Sequence, residues 1–279
     1  MSEPGLYVVA TPIGNLEDIS LRALRILGEV DCIAAEDTRH SARLLQHYDV
    51  RTPLVALHEH NEERATPALL ARIAAGESVA LVSDAGTPLI SDPGYRLVVA
   101  AREQSLPVFV VPGPSAVTAA LSVAGLPSDR FVFEGFLPAK SAARRGRLQQ
   151  LSGETRTLVL FESSHRIEAT VADLAAVFGA QRRAVLCREL TKQFETVHGD
   201  ELGRLGPWLA GDPNQRKGEF VLLLAGAEPE ADEQLLAGLQ LANALLEFLP
   251  ASQAARVAAR VTGARRQALY EALQDGRSQ

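Results

Sequence analysis

The chain is poor in cysteine, methionine and aromatic residues: two Cys, one Met, one Trp and 5% aromatics. Cys32 and Cys187 lie far apart, each in an apolar run, and no Cys/His pairing has the spacing of a zinc site. That pattern excludes a disulfide framework and a structural metal, and predicts two buried thiols in a reduced protein. Long hydrophobic runs are also missing. The longest, Val108–Pro112 and Phe220–Ala225, are of strand length and too short to cross a bilayer. Met1 to Leu6 has neither a basic nor an apolar leader region, so no signal peptide and a cytoplasmic protein without a membrane partner are expected. Nor is there an excess of positive charge. With 28 Lys and Arg against 34 Asp and Glu, the net charge of −6 argues against non-specific nucleic-acid binding. No GxGxxG follows the first apolar run, and no repeat of fixed period is present.

What is present is a 279-residue chain with 47% hydrophobic content, enough for two modest domains and a small appendage. Short β-rich runs alternate with amphipathic stretches. Strands are expected at Leu6–Ala10, Asp31–Ala35, Leu54–Leu57, Val79–Ser83 and Val108–Val111. Helices are expected at Ile19–Gly28, with Asp18 as cap and Leu21, Leu24 and Leu27 on one face, at Ser41–Tyr48, from Asn61 to Gly76, and up to about Glu103. Continuous apolar strands each followed by a helix indicate a mostly parallel sheet covered on both faces. The pattern restarts near Leu126–Arg130, with strands at Phe131–Phe136, Thr157–Phe161, Arg183–Cys187 and Phe220–Leu224 and helices at Ala142–Leu151 and Ile167–Phe178. Glu195–Gly199 and the Gly/Pro-rich Gly206–Pro213 suggest a hairpin or crossover, hence a mixed second sheet. The acidic Glu228–Glu233 reads as a linker, and Leu235–Leu273 is helical throughout. The expected organisation is two α/β domains, 1–118 and 119–228, with a ligand cleft between them, and a small helix-turn-helix-like hairpin at 232–279.

Ligands of open α/β sheets bind outside the carboxyl ends of the strands, and three loops there are unusual. Thr11-Pro12-Ile13-Gly14-Asn15 follows the first strand. Pro12 removes an amide donor, so the loop is ill suited to cradle a phosphate. Ser83-Asp84-Ala85-Gly86-Thr87-Pro88, running on to Ser91-Asp92-Pro93-Gly94, puts a carboxylate among small residues that permit close backbone approach. Pro112-Gly113-Pro114-Ser115-Ala116 is a third strand–turn–helix junction. Each alone is a common turn; three in one half-sheet converge on a single cleft.

These loops, with Ala10–Ser20 (ATPIGNLEDIS), Ala34–Arg39 (AAEDTR), Ser83–Gly94 (SDAGTPLISDPG), Pro112–Ala116 (PGPSA), Phe161–Arg166 (FESSHR) and Arg188–Lys192 (RELTK), resemble the tetrapyrrole methylase superfamily of methyltransferases. The resemblance runs from Leu6 to about Leu273. Where the wider superfamily has a glycine-rich first turn and a Gly-Asp-Pro loop, this chain has Thr11-Pro12-Ile13-Gly14 and Ser83-Asp84-Ala85, similar to the branch that 2′-O-methylates a cytidine of bacterial small-subunit rRNA. The resemblance implies S-adenosylmethionine as cofactor, rRNA within the small (30S) subunit as partner, and a homodimer. By motif position it implies donor contacts from Pro12, Ile13, Gly14, Val82, Ser83, Asp84, Thr87, Ser115 and Ala116 on one side, and from Phe161, Glu162 and the Glu189–Leu190 turn on the other.

Methyl transfer to a ribose hydroxyl requires alignment and a proton acceptor. The candidates near such a cleft are Glu36, Asp37, His40, His165, Glu189, Lys192 and Glu195, with Lys192, Glu189 and Asp37 taken as catalytic. Arg39 and Arg166 suit phosphates. Basic clusters occur at Lys140, Arg144, Arg145 and Arg147 and at Arg256, Arg260, Arg265 and Arg266; Arg256 and Arg260 are assigned to RNA backbone contact. Three other readings remain: a small-molecule methylase of the same superfamily, a nicotinamide-dependent oxidoreductase, which the absent GxGxxG disfavours, and a non-enzymatic RNA-binding module, which has no need of three ligand loops.

Overall fold

A computed structural model of the chain describes residues 2–227 and 231–275. It divides into two compact units, Met1–Ser152 with Arg156–Ala225, and Gly153–Thr155 with Gly226–Gln279. Among the described residues no helix is long and apolar enough to cross a membrane.

The first unit holds two five-stranded sheets. Strands β1 (Gly5–Val9), β2 (Cys32–Ala35), β3 (Leu54–Ala56), β4 (Ser78–Val82) and β5 (Val108–Val111) lie in the order β3-β2-β4-β1-β5. Every pairing in this sheet is parallel. Helices α1 (Leu21–Glu29), α2 (Thr38–His47), α3 (Glu62–Ala74) and α4 (Tyr95–Glu103) occupy the crossovers. On β1, Leu6 enters one apolar cluster with Leu81 and Leu97, while Tyr7 and Val9 enter another with Leu27 and Ile33. Burial on both faces is why these strands read as unbroken apolar runs.

The second sheet is mixed. It contains β6 (Phe131–Phe136), β7 (Thr157–Ser163), β8 (Arg183–Arg188), β9 (Thr196–Glu201) and β10 (Glu219–Leu224), in the order β6-β7-β10-β8-β9. β10 runs antiparallel between β7 and β8, and β9 antiparallel to β8. Helix α5 (Ala116–Val123) packs Val117 and Ala120 on one face of this sheet, and residue 118, the boundary read from sequence, lies inside it. Helices α6 (Ser141–Leu151), α7 (Ile167–Phe178) and α8 (Leu202–Gly211) cover the other face with Leu148, Leu174 and Leu205. Each fully buried leucine contributes about 1.5–3 kcal/mol.

Several local expectations are corrected. The cap of α1 is Ser20, whose hydroxyl accepts from the Ala23 amide; Asp18 belongs to a preceding 3-10 turn. Leu21 is 86% exposed, and the buried stripe is Ala23, Ile26 and Leu27. Helix α2 begins at Thr38 instead of Ser41, because Asp37 accepts from the Arg39 and His40 amides and so caps it earlier. The Gly/Pro-rich Gly206–Pro213 is largely the end of α8. Pro207 is the sixth residue of that helix and cannot donate to the Gly203 carbonyl, so the helix continues past it with one intrahelical bond fewer. The basic cluster of α6 is mostly spent internally: Arg144 and Arg145 pair with Asp173, and Arg147 with Glu134.

The second unit contains three helices, α9 (Ala231–Leu245), α10 (Ala251–Thr262) and α11 (Arg266–Asp275), with Gly263 in the turn between the last two. Residues 228–230 of the expected linker lie outside the described residues, and helix begins at Ala231. Ala254, Ala255 and Ala258 are buried and let the helices approach closely, with Leu269 and Leu273 completing the core. Gly263 at φ +77° ends α10 in the left-handed conformation that glycine adopts without strain. Arg256, Arg260, Arg265 and Arg266 are all exposed.

Candidate functional site

The strands β4, β1 and β5 are neighbours and parallel, so the loops that follow them emerge side by side. Those are the three loops singled out in the sequence, and they are hydrogen-bonded to one another. Thr11 and Gly86 exchange backbone hydrogen bonds of 2.8 and 3.0 Å. The Thr11 hydroxyl donates to the Ser83 carbonyl at 3.1 Å, and the Thr87 hydroxyl to the Pro114 carbonyl at 3.0 Å. The middle loop carries strain, since Leu89 and Ser91 hold φ of +75° and +67°, values costly for non-glycine residues. Its exit is fixed by buried Glu62, whose carboxylate accepts from the Gly94 and Arg96 amides at 3.1 and 2.8 Å.

The facing wall comes from the second sheet: the ends of β6, β7 and β8 and the start of β10. Between the walls lies a cavity of about 360 Å³, within the roughly 300–1,000 Å³ of small-molecule sites. Of the residues assigned to the donor, Ile13, Asp84, Thr87, Ser115, Ala116, Phe161, Glu162 and Leu190 line it. Val82 and Ser83 are buried and outside its lining. Pro12 and Gly14 are not in its lining. Gly14 instead abuts the opposite wall, where a Cβ would fall on Lys192 Cγ and 2.9 Å from Thr191 Oγ1. Ser115 is the N-cap position of α5 but makes no side-chain capping bond.

The residues assigned to catalysis are engaged in ion pairs. Lys192 lines the cavity, and its ammonium donates to Glu189 and Glu219, both at 2.9 Å. Burial disfavours that charge, but the two carboxylates outweigh burial and raise the Lys192 pKa. Burial likewise pushes Glu189 up, and the Lys192 ammonium with the Glu219 amide brings it below the usual carboxylate range. Asp37 is held low by Arg39 and by the amides it caps. Neither Glu189 nor Asp37 is in the lining, and His40, His165 and Glu195 are exposed on the surface outside it. Arg39 is paired with Asp37 at 3.3 Å with its side chain 89% exposed. Arg166 turns inward, donating to the Leu137 carbonyl at 2.6 Å and to Glu162 at 3.1 Å.

The structure adds residues that the sequence did not single out as site residues. Asp92 lines the cavity beside Glu36 and Asp84, and burial together with those two carboxylates pushes it up to about 7 against its bond from Ser83. Burial and Asp84 also raise Glu36. Asp92 stood inside the quoted loop motif, so its signal was present. Phe136, Glu219, Phe220 and Val221 also line the cavity, and no motif marked them. Cys187 is buried in the floor, where loss of hydration, with Glu195 adding, pushes its thiol up to about 12. Among the described residues no group of three or more His, Cys, Asp or Glu is arranged to hold a metal.

This lining fits a methyl donor. Small residues (Ala85, Gly86, Ala116) and apolar ones (Ile13, Phe161, Leu190) accept an uncharged adenine and thioether, and the acidic wall offsets a sulfonium. The comparisons agree in kind. The family model "Tetrapyrrole (Corrin/Porphyrin) Methylases" matches residues 5–206, and the model "RsmI C-terminal HTH domain" matches residues 228–277. The chain is 55% identical over 273 residues to the "Ribosomal RNA small subunit methyltransferase I" of Pseudomonas aeruginosa, covering 97% of each chain. It is 50% identical to the protein of that name from Escherichia coli O157:H7, covering 97% of this chain and 94% of the relative. A uroporphyrin-III C-methyltransferase from Thermus thermophilus, solved with S-adenosyl homocysteine, shares the fold at a TM-score of 0.55 and 19% identity, over 78% of this chain and 96% of that one. With its three interlocked donor-side loops, its acidic cavity and these matches, the chain belongs to the tetrapyrrole methylase family.

Proposed function

We propose that this protein is an S-adenosylmethionine-dependent methyltransferase that 2′-O-methylates the ribose of a cytidine in small-subunit (16S) rRNA, acting in the cytoplasm as a homodimer on the assembled 30S subunit. The observation that carries the reading is the cavity closed by three hydrogen-bonded loops and lined by carboxylates, in a chain 50–55% identical to relatives bearing a ribosomal RNA methyltransferase name. Bound S-adenosylmethionine supplies an electrophilic methyl group on a positively charged sulfur. The chain's part is to hold and orient. Ile13, Thr87, Ser115, Ala116, Phe161 and Leu190 enclose the donor, Pro12, Gly14, Val82 and Ser83 shape the loops behind them, and Asp84 and Glu162 supply negative charge. Fixing both reactants in line accounts for roughly 7–11 kcal/mol of barrier reduction in favourable systems.

Lys192, Glu189 and Asp37 serve as positioning groups in this reading. The Glu189–Lys192–Glu219 cluster holds the turn that faces Gly14, and Asp37 anchors α2 while its amide donates to Asp84 at 3.0 Å. Arg39, on the exposed rim, contacts RNA phosphate, while Arg166 steadies Glu162. Arg256 and Arg260, exposed on α10, contact the RNA backbone.

The test uses the alkali resistance of a phosphodiester next to a 2′-O-methyl group. Enzyme, methyl-labelled donor and 30S subunits from cells lacking the enzyme are expected to yield one labelled, alkali-resistant dinucleotide containing cytidine. Label on a base, or on a tetrapyrrole and never on RNA, overturns the assignment.

A further inference from the structure

We infer that Asp92 is the proton acceptor for the hydroxyl that receives the methyl group, a catalytic role resting on the ribose-methylating reading above. The argument is one of elimination within the cavity. Five carboxylates line it, Glu36, Asp84, Asp92, Glu162 and Glu219, and no histidine does. Glu162 accepts from the Ser163 amide, Arg166 and Thr170 at 2.8, 3.1 and 2.6 Å. Glu219 pairs with Lys192, and Asp84 accepts from the Asp37 amide. Each of these three has a cation or an amide donor, which stabilises the ionised form and weakens it as a base. Glu36, at the end of β2 outside the strained loop, is raised by burial and Asp84, but not as far as Asp92. Among the described residues Asp92 has neither a cation nor an amide donor, and the Ser83 hydroxyl alone acts to favour its ionised form.

Its setting is built to keep it there. Asp92 follows strained Ser91 and precedes Pro93 and Gly94, whose amide is held by Glu62, so its backbone is constrained on both sides. Glu36 from the end of β2 and Asp84 from the loop after β4 are the charged groups that act on it, and both disfavour its ionisation, as does burial. Its pKa of about 7 matches the working pH of a general base. In the step, the 2′-hydroxyl oxygen forms a bond to the methyl carbon as the sulfur–methyl bond breaks. The hydroxyl proton passes to an Asp92 carboxylate oxygen, and the sulfonium leaves as a neutral thioether. Charge and atoms balance without a further reactant.

Asp92→Asn is expected to lower single-turnover methylation of 30S subunits about 10²–10⁴-fold. Its affinity for S-adenosyl homocysteine, read by calorimetry, stays within twofold. In the wild type the single-turnover rate rises with pH through about 7 and then levels; Asp92→Asn loses that limb, and Asp92→Glu regains part of the rate with the limb. A readout independent of activity is the melting of the free protein. A carboxyl raised by folding gives stability that is full below its unfolded value near 4 and is lost as pH rises through about 7. The wild-type Tm is therefore expected to fall across that window more than the Tm of Asp92→Asn. Full activity of Asp92→Asn, or an unaltered pH limb, overturns the inference, and so does a parallel loss of S-adenosyl homocysteine binding, which would make Asp92 a donor-holding group. A wild-type enzyme that fails to label RNA defeats the functional reading itself, an outcome distinct from a wild type that labels RNA and an equally active Asp92→Asn.

Discussion

The two sheets of the first unit build opposite walls of one cavity by different means. In the parallel sheet every strand points the same way, so all loops after strands emerge on one edge, and the adjacency of β4, β1 and β5 brings three of them together. That wall is made of loops, and it carries charge, strain and mutual hydrogen bonds. In the mixed sheet, antiparallel β10 lies between β7 and β8, with Phe220 opposite Glu162 and Arg188, and Val221 opposite Phe161 and Cys187. Its start therefore meets their ends at the cavity, and this wall is made largely of strand residues. The first wall carries three of the five lining carboxylates, Glu36, Asp84 and Asp92, while the second sets Phe136, Phe161, Phe220 and Val221 beside Glu162 and Glu219.

The comparison can be broken most directly at Ser115, which lines the cavity at the start of α5. Ser115→Trp fills the space between them and is expected to weaken S-adenosyl homocysteine binding at least 100-fold, roughly 2.7 kcal/mol, with an unchanged circular dichroism spectrum. Binding within threefold of wild type would mean the donor lies elsewhere. Next in size is the anchor of the strained loop. Glu62→Ala leaves the Gly94 and Arg96 amides without their acceptor, at a cost of about 1–3 kcal/mol. Because the loop carries Asp84 and Thr87, donor affinity is expected to fall together with Tm; a lower Tm with intact affinity would show that the loop holds its shape unaided. The smallest effect belongs to the strand wall. Glu219 is 77% exposed and one of two partners of Lys192, so Glu219→Gln is expected to change stability by less than about 1 kcal/mol and donor affinity by less than twofold. A tenfold loss would make that wall as charge-dependent as the other.

The same contrast separates what could be read in the sequence from what could not. The parallel half was legible because strand, turn and helix are local signals: Val108–Val111 matches β5, Gly76 is a positive-φ residue just past α3, and the three loops stand at strand ends. Helix faces were less so. Leu21 belongs to the apolar period of α1 yet is exposed, because Ala23, Ile26 and Leu27 are the side chains turned to the sheet. The basic cluster on α6 was visible as a run of charge, but its pairing with Asp173 and Glu134, distant in sequence, was not.

For the site, local sequence determined which residue types stand after each parallel strand, since loop position follows directly from the strand–helix alternation. Family membership was equally a property of those motifs. Tertiary structure decided the rest. That Glu219 to Val221 face the cavity depends on β10 inserting antiparallel between β7 and β8, a long-range pairing that no local pattern encodes. That Lys192 and Glu189 are locked to each other and to Glu219, while Asp92 faces only a hydroxyl and two like charges, depends on which groups meet across the fold. A carboxylate's basicity is set by the donors, charges and water around it, and those neighbours come together only when the chain has folded.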